Sequence, residues 1–139
     1  MIGAIILKLM AGSGIEEMNR RDAKKILSHY VDDAVYIYPG NMSVSGRKQG
    51  KKEVEAFFTK YMQQFPQLHF KIKNTYVKNI FDPFFCNTVA IEFECKYTNR
   101  HGESFENSGV TVCRIKWGRV TQMQDYYFNV ETLERAWRE

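Results

Sequence analysis

The sequence contains few of the residues that cross-link small proteins or bind metals. Among its 139 residues are three cysteines, three prolines and three histidines. Cys86, Cys95 and Cys113 form no paired spacing, so neither a disulfide framework nor a zinc site is expected. Cys95 and Cys113 fall on apolar positions of predicted strands, where a free cysteine usually behaves as a small hydrophobic residue. The pattern favours free thiols and therefore a reducing, cytoplasmic location.

Histidine and charge provide equally few signals. His29, His69 and His101 have no carboxylate or cysteine at ligand spacing, so the sequence predicts no metal and no cofactor. The net charge of +4 is below the strongly basic balance of a dedicated nucleic-acid binder. Basic clusters at residues 20–25 and 47–52 lack interleaved aromatic side chains, and such clusters are usually solvated faces. We therefore expect no nucleic-acid partner.

A long hydrophobic run is also missing. The apolar segment at residues 1–10 is interrupted by Lys8, lacks a basic flank and is too short to span a bilayer, so it predicts a packed helix and no membrane partner. No repeat, low-complexity tract or linker divides the chain. Its 44% hydrophobic content is enough to build one core. We predict one domain over residues 1–139.

Helical periodicity marks the N-terminal half of the chain. Residues 12–14 (Gly-Ser-Gly) interrupt the first helical segment, which leaves either one bent helix or a broken pair. Behind Asp22, a good N-cap, a short helical stripe runs from Ala23 to Val31 and includes Tyr30. The clearest helix follows and ends at Pro66; its apolar stripe contains Val54, Phe57, Phe58, Tyr61, Met62 and Phe65.

Period-two alternation marks the C-terminal half. A strand is predicted at residues 68–72, a long antiparallel hairpin at 89–97 and 105–115, and a last strand at 119–128. Asn129 can cap a final short helix. Strands that follow helices in this segregated order are typical of an α+β fold. A curved antiparallel sheet with helices on one face leaves a concavity, which is where small-molecule sites usually form.

Several short motifs occur in a characteristic order along the chain. They are Asp32-Asp33-Ala34-Val35, Tyr38-Pro39-Gly40, the helix led by Gly50 with Phe57-Phe58, and Gly118-Arg119-Val120 with Asp125-Tyr126. This order resembles the nuclear transport factor 2-like superfamily, in its SnoaL-like and ketosteroid-isomerase-like branch, from about residue 15 to residue 137. The resemblance implies a cone-shaped α+β domain in which a strongly curved antiparallel sheet wraps around a long helix, with two further N-terminal helical segments and a short C-terminal helix. It also implies an apolar pocket and a homodimer.

This resemblance does not fix an activity, because the fold is shared by isomerases, cyclases, hydrolases, dehydratases and non-catalytic binding subunits. In the steroid isomerases a carboxylate base works with a tyrosine and a protonated aspartic acid. The matching positions here hold Tyr38, Gly14 and Thr111. Because a tyrosine with an ordinary pKa near 10 is a poor base at neutral pH, steroid-type isomerisation by that mechanism is not expected.

One acidic position of the related enzymes is retained. SnoaL-like cyclases and limonene-epoxide-hydrolase-like enzymes carry an acidic residue on the last strand, and Asp125 matches it. The hydrolase pattern also needs an arginine and an aspartate two residues apart, where this chain has Glu92 and Glu94. These two glutamates alternate with apolar residues, so we expect them to point away from the core. The resemblance therefore directs the catalytic hypothesis to Asp125.

The candidate site combines Asp125 with residues from the opposite end of the chain. A carboxylate in apolar surroundings has a raised pKa and can exchange protons as an acid or a base. Tyr36 and Tyr38 share one strand face, and we predict Tyr38 as the hydrogen-bond donor to the ligand. Both tyrosines could equally be buried for packing alone, and Asp125 could be a structural network member. The predicted pocket lining is Tyr36, Met42, Phe58, Tyr61, Phe65, Thr111 and Met123.

Two functions remain open at this point. The first is proton transfer on a small, largely apolar organic ligand, with an isomerase, cyclase or hydrolase type of reaction. The alternative is a non-catalytic ligand-binding or assembly module whose pocket is filled by side chains or holds a ligand passively. Phe81, Phe84 and Phe85 form an unusually apolar turn that either contacts a partner or covers the core. Outward-facing Val110 and Val112 favour a homodimer through the sheet face.

Overall fold

The computed structural model describes residues 1–139 and shows four helices and one six-stranded sheet. No helix is both long enough and apolar enough to cross a membrane. The sheet is curved and helices lie at both ends of the chain, which confirms the predicted α+β class. The elements are α1 (Ile2–Asn19), α2 (Ala23–Ser28), β1 (Tyr30–Tyr38), β2 (Gly46–Gln49), α3 (Lys51–Gln64), β3 (Gln67–Val77), β4 (Asn87–Thr98), β5 (Ser104–Lys116), β6 (Arg119–Tyr127) and α4 (Val130–Ala136).

The sheet has the strand order β2-β1-β6-β5-β4-β3. All neighbouring strands are antiparallel except β1 and β6, which run parallel, so the expectation of a wholly antiparallel sheet was wrong at this one pair. The chain can pair these strands in parallel because α3 and four strands separate them in the sequence. Register shifts with extra residues in β1, β3 and β6 interrupt the ladder, and such bulges bend and twist the strands that carry them.

The predicted hairpin is confirmed as β4 and β5. Val89 lies opposite Cys113 and Tyr97 opposite Phe105, so the apolar positions of both strands share the inner face. Gly109 allows the close approach of β6 to β5. A Cβ atom at Gly109 would lie 2.1 Å from the carbonyl oxygen of Tyr126, so only glycine fits there.

The N-terminal helices differ in part from the sequence expectation. Helix α1 is continuous through Gly14, which settles the choice between one helix and a broken pair. The side chain of Asp22 caps α2 by accepting a hydrogen bond from the Lys25 amide at 3.1 Å. The predicted helical stripe extended to Val31, but α2 ends at Ser28 and Tyr30 already belongs to β1. Tyr30 pairs with Val120 of β6, and this sheet pairing overrides the local helical spacing.

The long helix α3 packs on β1 and β2, while α1 packs on β3 and β4. The predicted stripe of α3 is buried, with Val54 and Phe58 almost fully covered, and the helix ends at Gln64, just before Pro66. Asn129 caps α4 by accepting from the Thr132 amide at 2.9 Å. The sheet thus has helices on its inner face at two places, and the space between α1 and the sheet remains partly open.

Candidate functional site

A cavity of about 180 Å³ lies between α1 and the inner face of the sheet. Its walls come from α1, α2, α3 and five of the six strands, and 19 of its 26 lining residues are hydrophobic, so any ligand must be largely apolar. On the α1 side the wall includes Leu7, Ala11 and Gly14. No group of three or more histidine, cysteine, aspartate or glutamate side chains in residues 1–139 is arranged to hold a metal ion.

Asp125 is a buried carboxylate in this apolar wall, with 6% of its surface exposed. Tyr36 donates a hydrogen bond from Oη to Asp125 Oδ2 at 2.5 Å, and Thr111 donates from Oγ1 to Oδ1 at 2.8 Å. The three side chains come from the adjacent strands β1, β6 and β5, in which Thr111 lies directly opposite Asp125. The sheet register therefore positions the whole polar cluster.

The surroundings bring the pKa of the Asp125 carboxyl close to neutral pH. Burial raises its pKa from an ordinary 3.8 to about 6, although the hydrogen bonds from Tyr36 and Thr111 lower the pKa and oppose part of this effect. Burial, and next the nearby Asp125 charge, raises the pKa of the Tyr36 phenol well above its usual value. Tyr36 therefore stays a neutral donor while Asp125 can gain or lose a proton near physiological pH.

The structure brings six of the predicted site residues together. Tyr36, Phe58, Tyr61, Thr111, Met123 and Asp125 all line the cavity. Their side chains come from β1, α3, β5 and β6, so the cavity wall joins elements that are far apart in the chain.

Three predicted site residues lie elsewhere. The Tyr38 hydroxyl accepts a hydrogen bond from Trp137 Nε1 at 3.0 Å inside an aromatic cluster outside the cavity wall. Phe65 packs between Tyr97 and Trp137, and Met42 packs against the same core from the β1–β2 connection. Alternation along β1 gave the correct strand face for Tyr38. Tyr38 lies in the aromatic cluster and not in the cavity wall because Trp137, which ends α4, packs against it.

The structure also places a carboxylate–imidazole pair in the cavity wall that the sequence did not indicate. Glu17 is buried on α1, and His29 Nε2 lies 3.0 Å from both of its carboxylate oxygens. Both residues line the cavity. Glu17 follows Met10 and Gly14 at helical spacing, which puts it on an otherwise apolar helix face. This carboxylate on an apolar helix face was the one sequence feature that could have indicated the pair.

Gly14 occupies the position at which the resemblance predicts the tyrosine of the steroid isomerases. It lines the cavity, and no atom lies within 4 Å of the place where its Cβ would be. The missing side chain therefore contributes open space to the cavity.

The comparisons agree on one family. The sequence matches the family model described as a SnoaL-like domain over residues 14–123. A search of curated protein sequences finds no match. Among solved structures, an NTF2-like protein of unknown function from Burkholderia pseudomallei is similar with a TM-score of 0.80 at 20% identity, over 93% of this chain and 95% of that one.

Two further structures show the same architecture. Bal32a, from a soil-derived mobile gene cassette, has a TM-score of 0.77 at 19% identity, over 92% of this chain and 93% of that one. TerC, co-crystallised with polyporic acid, has a TM-score of 0.72 at 18% identity, over 88% and 92%. These identities support the fold alone, whereas the family model covers most of the chain. The chain therefore belongs to the SnoaL-like domain family of the NTF2-like superfamily.

Proposed function

We propose that residues 1–139 form one ligand-pocket domain that transfers a proton on a small, largely apolar carbonyl compound, with Asp125 as the acid/base group. The observation that carries this proposal is a buried carboxylate with a pKa of about 6 in the wall of an apolar cavity. A general acid or base works best when its pKa lies near the working pH. The isomerase, cyclase and hydrolase types of reaction all use such a group.

The contacts of Asp125 support a role as base. Each carboxylate oxygen accepts one hydrogen bond and keeps a further lone pair that can take a proton. Tyr36 and Thr111 hold the carboxylate in a fixed orientation, so we assign them a positioning role. Tyr38 was predicted as the donor to the ligand, but its hydroxyl is bonded to Trp137 outside the cavity wall. The proposal therefore gives Tyr38 no contact with the ligand.

The size of the cavity restricts the ligand. A cavity of about 180 Å³ is close to the roughly 150 Å³ that accommodates benzene and smaller than the roughly 300–1,000 Å³ of sites for drug-sized molecules. A compound built on a single ring fits this volume. TerC, with the same fold, is co-crystallised with polyporic acid, which supports the use of this architecture for organic ligands.

A hydrogen–deuterium exchange assay tests the proposal. Acetophenone has a single ring and a methyl group beside its carbonyl, and NMR in D₂O measures the exchange of the methyl protons. We expect the wild-type protein to accelerate exchange and Asp125→Asn to abolish the acceleration while circular dichroism stays unchanged. Asp82 is equally buried, at 6%, but lies outside the cavity wall, so Asp82→Asn is the matched control and should retain exchange. Equal exchange in wild type and Asp125→Asn would refute the proposal.

A non-catalytic binding module is the second candidate, and one observation favours it. Both oxygens of Asp125 already have hydrogen-bond partners, as in a structural network. A module of this kind would bind acetophenone without accelerating exchange. The same NMR experiment, which reports binding and exchange together, distinguishes the two functions.

We also propose that the protein is a cytoplasmic homodimer. All three cysteines are free, as suits a reducing compartment. Phe81 and Phe84 are exposed while Phe85 packs on a small core cluster, and Phe84 contacts the exposed Trp117 at a ring distance of 5.7 Å. Apolar surfaces of this kind generally mark interfaces. Native mass spectrometry should give a mass of two subunits, and a monomer at micromolar concentration would contradict the homodimer.

A further inference from the structure

Tyr30 is a buried tyrosine in the cavity wall whose hydroxyl lacks a hydrogen-bond partner. The residue is 2% exposed and lines the cavity. The other two tyrosines of β1 are both engaged, Tyr36 with Asp125 and Tyr38 with Trp137. Every fully enclosed side-chain oxygen and nitrogen atom in this protein has a hydrogen-bond partner. The Tyr30 hydroxyl oxygen has none, so it is not fully enclosed and must border open space. Because the residue is otherwise covered, that space is the cavity.

The position of Tyr30 is fixed from three sides. Its carbonyl oxygen accepts hydrogen bonds from Lys51 Nζ at 3.3 Å and from Arg119 Nη2 at 2.8 Å. Its backbone pairs with Val120 of β6, and its ring meets the ring of Phe58 edge-on at 6.5 Å. A donor held in this way loses little conformational freedom when it binds a ligand.

The phenol also keeps its proton. Burial raises the pKa of Tyr30 well above its usual value, and Cys113 and Asp125 add to this effect. Tyr30 is therefore a neutral hydrogen-bond donor over the whole pH range in which Asp125 gains or loses its proton. A ligand acceptor in the cavity can therefore accept from this hydroxyl without breaking a hydrogen bond that the protein already makes.

We propose that Tyr30 binds the ligand by donating a hydrogen bond to a carbonyl oxygen whose neighbouring carbon faces Asp125. This inference rests on the proposed function, because both residues act on one ligand in one cavity. When Asp125 removes the proton from that carbon, the C–H electron pair forms a C=C bond and the carbonyl π pair moves onto oxygen. The Tyr30 hydrogen bond then stabilises the enolate oxygen without transferring its own proton. Asp125 finally returns the proton to carbon, so no other reactant is needed.

The ligand is therefore a small ring-containing ketone or aldehyde with at least one hydrogen on the carbon beside its carbonyl. The ring matches the mainly hydrophobic wall, the carbonyl oxygen matches the free donor at Tyr30, and the acidic carbon matches Asp125. A hydrocarbon of the same shape would fit the wall but would leave the Tyr30 hydroxyl unpaired.

A matched pair of probes tests the role of Tyr30. Acetophenone and ethylbenzene have nearly the same shape, and only acetophenone carries an oxygen. In Tyr30→Phe we expect the Kd of acetophenone to rise about tenfold, which corresponds to about 1.4 kcal/mol. The Kd of ethylbenzene should stay within about twofold, since the change removes only a hydrogen bond. Infrared spectra of bound acetophenone should show a higher carbonyl stretching frequency in Tyr30→Phe than in wild type.

Tyr97→Phe is the control, because Tyr97 is a buried tyrosine outside the cavity wall. It should leave both affinities and the carbonyl frequency unchanged. Equal effects of Tyr30→Phe on the two probes, or no effect on either, would overturn the inference. Failure of the wild type to bind both probes would overturn it together with the proposed function. If Tyr30→Phe weakens acetophenone alone but Asp125→Asn still exchanges, the proposed function fails and Tyr30 remains a ligand-binding residue.

Discussion

Two tyrosines of β1, Tyr36 and Tyr38, lie on one strand face but in different environments. Tyr38 is in the filled half of the cone, the aromatic cluster that it forms with Phe57, Tyr61 and Trp137. Tyr36 is in the open half, the cavity beneath α1, where its hydroxyl reaches Asp125. The sheet supplies the same kind of side chain to both halves. Both rings pack on Phe57 of α3, so the difference lies in the hydroxyl partner, which is Asp125 for Tyr36 and Trp137 for Tyr38.

Helices α3 and α4 differ from α1 in the side chains that they place over the sheet. α3, α4 and the residues that end them contribute Phe57, Tyr61, Phe65 and Trp137, whose rings pack at centroid distances of 5.1 to 5.9 Å, and only Tyr61 among them also borders the cavity. α1 contributes no aromatic ring to the cavity wall; its lining residues include Leu7 and Met10 as well as the small Ala11 and Gly14. Aromatic packing of this kind stabilises the fold, whereas small side chains preserve space for a ligand.

The largest expected effect on stability comes from removing one ring of the aromatic cluster in the filled half. Trp137 is 8% exposed and packs on Tyr38, Tyr61 and Phe65, so Trp137→Ala should lower the free energy of unfolding by about 3–5 kcal/mol. Trp117 is 66% exposed and is the matched control; Trp117→Ala should cost about 1 kcal/mol or less. Urea unfolding monitored by circular dichroism measures both. Similar losses for the two tryptophans would mean that the aromatic cluster does not carry the stability of this half.

The next effect concerns the buried carboxylate of the open half. The folded pKa of Asp125 is about 6 against an ordinary value of 3.8, so between these pH values the folded state retains a proton that the unfolded state has lost. The contribution of Asp125 to stability therefore falls as pH rises, by about 3 kcal/mol in all, and is constant below pH 3.8 and well above pH 6.

Asp125→Asn should remove this dependence. Relative to wild type, the free energy of unfolding of the variant should increase by about 2.5 kcal/mol between pH 4 and pH 8. Urea unfolding at several pH values measures this difference between the two proteins. A difference that stays flat over this interval would show that Asp125 is not desolvated in the folded state.

Local patterns in the sequence were sufficient for the elements of both halves. The alternation in β4 and β5 and the stripe on α3 depend on near neighbours, and both were confirmed. Tyr30 was misassigned to a helix because its pairing with Val120 joins residues that are far apart in the chain. For the same reason the parallel contact between β1 and β6 could not be predicted.

The site was harder to predict than the elements. Period-two alternation gave the shared face of Tyr36 and Tyr38, but the division into filled and open halves depends on Trp137 near the C-terminus. Glu17 and His29 are 12 residues apart and meet only because the chain turns between α1 and α2. A free hydroxyl such as that of Tyr30 has no sequence signal, since the missing partner is visible only after packing.

The smallest expected change in stability uses two glycines of α1. Gly12 and Gly14 are both helical, and no atom lies within 4 Å of either Cβ position, but only Gly14 lines the cavity. Replacing an interior helical glycine by leucine should stabilise the helix by about 1 kcal/mol in each case. Gly14→Leu should also fill the cavity and weaken acetophenone binding by about tenfold or more, whereas Gly12→Leu should leave binding unchanged.

Thermal unfolding and NMR titration measure the two properties separately. If Gly14→Leu gains stability and loses binding while Gly12→Leu only gains stability, the open half is maintained at Gly14 at the expense of helix stability. Because a side chain at Gly14 would be favourable for the helix and has room to fit, its absence is then explained by the ligand space and not by packing. Equal binding in the two variants would mean that the ligand binds elsewhere and that the cavity under α1 is only a packing defect.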